Sequence, residues 1–197
     1  MKNLILIFMQ ILIVLSCTRS HDDNFKEFLP QVTQIGANTF GVKINGNIHT
    51  PKSSQNDLSN IGYPQYNGIW EDFSYDNGKT FAPLVYLSKV NATRMILRIN
   101  DVQGITPKEY IINGQDESVP IGRVTIGYLI SQGTSLQKQY NAVANSGSII
   151  ITKNDANIIS GTFSGKLNNI SNPNDILEIT DGRFDFNKNT INNYKFP

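Results

Sequence analysis

The chain has 197 residues, 17 basic and 16 acidic side chains and a formal charge of +1. A balance that close to neutral, without a basic run, excludes the electrostatic footprint of nucleic-acid binding and of a polybasic membrane patch. A single cysteine and two histidines exclude an internal disulfide and leave too few nitrogen and sulfur ligands for a zinc site.

The N-terminus is a targeting segment. Lys2 provides a positive start, residues 4–15 are apolar except for Gln10, and Val14-Leu15-Ser16-Cys17 closes the run with a small residue before a cysteine. An apolar run of this length is too short to span a bilayer, which takes about 20 residues, and it has the layout of a secretory signal. The cysteine at its end makes it resemble a bacterial lipoprotein signal. On this reading residues 1–16 are removed and Cys17 is acylated, so the partner is a membrane, reached through the N-terminal lipid. The expected location is the outer membrane, on its periplasmic or cell-surface face. Without Lys2 the mature chain has as many basic as acidic groups, and its length suits one domain.

Residues 18–38 are polar, lack a sustained period and read, together with Cys17, as a flexible tether. From Thr39 the pattern changes to short alternating runs broken by Asn, Gly, Asp and Pro, and residues 39–197 read as one domain. Residues 39–44 and 47–50 flank Asn45-Gly46, a pair suited to a two-residue hairpin turn. Further strands are expected at 83–90, 93–99, 109–113, 122–130, 137–143, 148–153, 158–167 and 175–186. In 93–99, Met95, Leu97 and Ile99 face one way and Arg94 and Arg98 the other. In 158–167, Ile159, Gly161, Phe163, Gly165 and Leu167 share a face. No window shows a helical stripe. Short strands with polar turns predict an all-β fold, an antiparallel β-sandwich of roughly 9–11 strands, with a β-barrel as the alternative.

Leu29-Pro30-Gln31-Val32-Thr33-Gln34-Ile35-Gly36-Ala37-Asn38-Thr39-Phe40-Gly41, followed by Ile44-Asn45-Gly46, resembles the domain start of an uncharacterised family of Bacteroidota lipoproteins. The runs Ser146 to Asp155, Ile159-Ser160-Gly161-Thr162-Phe163-Ser164-Gly165 and Ile179-Thr180-Asp181-Gly182-Arg183-Phe184-Asp185 are similar to that family too. Val42 stands where members often carry a cysteine, which removes a shared thiol role. The resemblance implies a β-sandwich and no assigned activity. Asp22, Asp23 and Glu27 after the cysteine resemble the export signal of surface lipoproteins in this group; a solvated linker carries such acids equally well.

Candidate functional residues concentrate in 62–81. Tyr63, Tyr66, Trp70, Phe73 and Tyr75 lie there among Gly, Pro, Asn and Asp. Such aromatics either stack on a ligand, a glycan or an envelope protein, or fold back to plug an end of the sandwich. Asp72 and Asp76, before Asn77-Gly78, are weak calcium candidates, as are Asp181, Asp185 and Asn187. Neither set has the spacing of an EF-hand loop. No catalytic residue is singled out and no cofactor is implied. His49 lacks the company of a Ser-His-Asp site. Glycan hydrolysis by paired acids is the alternative function, with Glu71, Asp72, Glu109, Glu117 and Glu178 as its pool.

Overall fold

The computed structural model describes residues 27–54, 67–73, 75–89, 92–114, 122–132 and 135–197. The described chain is all-β and antiparallel. It contains twelve strands: β1 Thr39–Ile44, β2 Asn47–His49, β3 Ile69–Trp70, β4 Thr80–Phe81, β5 Leu84–Tyr86, β6 Arg94–Asn100, β7 Lys108–Ile111, β8 Val124–Gln132, β9 Ser135–Ala142, β10 Ser148–Asn154, β11 Ile158–Asn169 and β12 Asn172–Asn187. Two single-turn 3-10 helices, Tyr75–Gly78 and Ile191–Asn193, complete the elements.

Alternation places the strands as expected. On β6, Met95, Leu97 and Ile99 are buried and the residues between them are half-buried. On β11, the odd-numbered positions from Ile159 to Leu167 all face the interior. The β1–β2 turn uses Asn45 and Gly46 at φ of 48° and 81°, the left-handed pair that a tight hairpin needs.

The sheet order is β2-β1-β12-β11-β9-β8-β6-β5-β3, with β10 also on β11, β7 on β10 and β4 on β6. Strand β11 makes the fold a sandwich. One edge pairs with β12 along most of its length. The other edge pairs with β10 from Ile159 to Ser164 and with β9 from Leu167 to Asn169. The fork gives two leaves joined through the β11–β12 hairpin, and the sheet does not close into a barrel. Phe81 of β4 meets Phe184 of β12 with ring centroids 5.2 Å apart, so the leaves pack on each other through aromatics.

The hairpin is locked by reciprocal glycine–phenylalanine pairs. Phe163 lies opposite Gly182, and Gly161 opposite Phe184. A Cβ on Gly182 would sit 2.6 Å from the Phe163 ring, and one on Gly161 2.8 Å from the Phe184 ring. Each ring lies over the bare backbone of the neighbouring strand, which puts two large side chains into the core without a gap.

One boundary differs from the sequence reading. Residues 29–38, expected to end the flexible tether, are fixed on the outer face of β1 and β12. The buried Asp185 carboxylate accepts from the Thr33 hydroxyl at 2.6 Å and from the amides of Ile35, Gly36 and Ala37 at 3.0, 2.9 and 3.2 Å. Arg183 donates to the Pro30 carbonyl, and Asn38 takes the Asn187 amide while donating to Thr190. Gly41 lies directly beneath Pro30, where a Cβ would be 2.5 Å from the proline ring. The domain therefore begins by Leu29, ten residues before Thr39. Cys17 and residues 18–26 lie outside the described residues.

Candidate functional site

Segment 62–81 divides by the two-residue period of a strand. On β3, Ile69 points into the core and Trp70 points outward with 55% of its surface exposed. Strand β3 is held by β5, with Trp70 opposite Leu84. Phe81 is part of the core, and Phe73 packs partly buried at its margin. Plugging and display therefore both occur: Phe81 and Phe73 close the sandwich, and Trp70 is left on the surface. Tyr63 and Tyr66 lie outside the described residues. Tyr75 and Asp76 open the 3-10 turn, and their side chains lie outside what is described.

Trp70, Glu71, Asp72 and Phe73 line an open pocket of about 420 Å³ together with Lys188 and Asn192. The last two come from the turn after β12, more than a hundred residues away. Asn192 clamps the backbone of Glu71 at two points, accepting from its amide at 2.8 Å and donating to its carbonyl at 2.7 Å. That clamp fixes the strand carrying Trp70 against the end of β12. Lys188 reaches back to Asn154 at 2.6 Å and to the Asp155 carbonyl, and its Nζ lies 6.0 Å from the Phe73 ring centroid. Burial lowers the Lys188 pKa, and the charge of Asp155 opposes the shift.

Glu71 is the most perturbed group of the pocket. Only 3% of it is exposed, and its Oε2 accepts from the Ala82 amide at 2.8 Å. Burial, with a smaller contribution from the charge of Asp72, pushes its pKa up to about 8, against the pull of the Ala82 amide and Arg98. At neutral pH it is an uncharged acid. Of the other acids in the expected pool, Glu109 on β7 and Glu178 on β12 are exposed and do not line this pocket, and Glu117 lies outside the described residues.

Of the calcium candidates, Asp72 lines the pocket, the Asp76 side chain lies outside what is described, and the other three have partners of their own. Asp185 is filled by the four donors of residues 33–37, and these hydrogen bonds hold its pKa below the usual carboxylate range although burial opposes them. Asp181 pairs with Lys43 at 2.8 Å and, more loosely, with Arg183 at 3.7 Å. The Asn187 side-chain oxygen accepts from the Asn189 amide at 3.0 Å. Among the described residues no group of three or more His, Cys, Asp or Glu side chains is close enough to hold a metal ion. His49 lies on β2, at one end of the sheet.

The sequence motifs noted above are thus built into packing rather than into the pocket. Lys188 and Asn192 carry no local signal in the sequence; only the return of the chain after β12 brings them to Trp70. No protein-family model, no curated protein and no solved structure matches the chain.

Proposed function

We propose that this protein is a lipid-anchored cell-envelope module, attached through an acylated Cys17, whose β-sandwich binds a glycan at the pocket beside Trp70. The observation that carries the reading is the outward indole on a clamped two-residue strand, at the rim of a pocket bearing carboxylate, ammonium and amide groups. A flat rigid aromatic face flanked by hydrogen-bonding groups suits a sugar ring, whose C–H face stacks and whose hydroxyls need donors and acceptors. The rigidity matters because little ordering entropy remains to be lost on binding.

Affinity electrophoresis through gels containing neutral or acidic polysaccharides tests it. The wild type is expected to be retarded by at least one of them. Trp70→Ala should lose the retardation while keeping the wild-type thermal transition, because the indole lies outside the core. Equal mobility of wild type and Trp70→Ala across the panel would contradict the reading.

A second reading, a carboxylate-dependent glycan hydrolase, is favoured by one observation: Glu71, protonated up to about pH 8, neighbours Asp72 in the same pocket. Binding ranks first because the Glu71 carboxyl is buried and already engaged by the Ala82 amide. Glu71→Gln separates the two. A hydrolase would lose turnover, whereas a binding module keeps its retardation and shows no cleavage in either form.

A further inference from the structure

This inference rests on the lipoprotein reading. Cys17 and Glu27 are ten residues apart, a stretch that spans at most about 35 Å when fully extended. The first described segment therefore lies within that reach of the acyl chains. It displays Phe28, Val32 and Ile35, exposed to 72%, 55% and 73%. The backbone that carries them is held to the sheet by Asp185 and Arg183, and Lys153 donates to the Gln34 carbonyl at 3.1 Å. Tyr194, from the far end of the chain, joins Phe28 along an apolar groove of about 290 Å³ that also contains Pro30 and Phe196. Exposed Lys195 follows Tyr194. Apolar side chains scattered singly over a surface need no explanation, but three exposed within eight residues, on the described segment nearest the anchor and held in a fixed frame, concentrate apolar surface there. An aromatic hydroxyl and a lysine at its margin fit the boundary between acyl chains and headgroups.

We propose that this segment docks on the bilayer that holds Cys17, with Phe28, Val32 and Ile35 entering the interfacial region. The occupant is the lipid surface itself. The anchor makes the contact intramolecular, so shallow insertion of three side chains is enough to hold the domain down rather than let it swing.

The test uses the full acylated chain. Acylation consumes the only cysteine, so Phe28→Cys, Ile35→Cys and Ile176→Cys each provide one site for a nitroxide. Ile176 is the control. It is exposed to 51%, and it lies nine residues back along β12 from Asp185, which binds the Ile35 amide; that is about 30 Å at ~3.3 Å per residue. In vesicles of phosphatidylethanolamine and phosphatidylglycerol, power saturation should give labels at 28 and 35 an oxygen-to-nickel accessibility ratio several-fold above that at 176. Equal, water-like ratios in acylated, vesicle-bound protein would overturn the docking and leave the anchor standing. A mass spectrum without acyl chains on Cys17 would overturn both.

Discussion

Glu71 and Asp185 are two buried acids with opposite answers to burial. Burial outweighs the Ala82 and Asp72 amides at Glu71, which also has an acidic neighbour, so it stays protonated; Asp185 has four donors, so it stays charged. Their pH signatures differ in sign. Unfolded, Glu71 ionises near 4.5; folded, near 8. Between those values the native state binds the extra proton, so stability falls as pH rises, by an amount on the order of a few kcal/mol. Glu71→Gln keeps an oxygen for the Ala82 amide and has no proton to lose. In urea titrations it should match the wild type near pH 4, exceed it at pH 8 and lack the slope between; a slope that persists would contradict the assignment. Asp185 stabilises the fold above the ordinary carboxylate range and loses that contribution as pH falls through its depressed pKa. Asp185→Ala strands the Thr33 hydroxyl and three amides, and should cost about 3 kcal/mol at neutral pH. The same variant should speed hydrogen exchange at residues 35–37; protection equal to the wild type would show that something else holds the segment.

At the scale of elements, the sequence exposes whatever is periodic over several residues. β6 and β11 alternate long enough to be read directly, and the Asn45-Gly46 turn carries its own chemistry. β3 and β4 have two residues each and cannot show a two-residue period, which is why twelve strands appear where roughly 9–11 are expected. β5 is confined to Leu84–Tyr86 within the expected 83–90. Residues 29–38 read as tether because their order comes from Asp185, about 150 residues later, and not from any local pattern. Two of the glycine-bearing motifs gain a physical meaning: Gly161-Thr162-Phe163 and Gly182-Arg183-Phe184 are the two halves of one interlock. Gly182→Ala should therefore cost ~1–3 kcal/mol by forcing the Phe163 ring aside. Its cost should shrink in a Phe163→Leu background, where no ring covers the glycine; additive losses in the double-mutant cycle would argue against the interlock.

The whole molecule places its N-terminal segment and its pocket around the same end of the β11–β12 hairpin, since residues 33–38 bind Asp185 and Asn187 while Lys188 and Asn192 line the pocket. Of the pocket, Trp70, Phe73 and Asp72 were legible as an aromatic, acid-bearing loop. Lys188 and Asn192 were not, because a site closed by the last turn of the chain is a product of topology. Trp70 is the proposed ligand platform, and the chain has no other tryptophan. The most direct measurement is therefore its fluorescence during titration with soluble fragments of a retarding polysaccharide. Stacking predicts a saturable blue shift as the exposed indole is covered. An emission spectrum that stays at its solvent-exposed position while the protein is retained by that polysaccharide would place binding elsewhere and contradict the account.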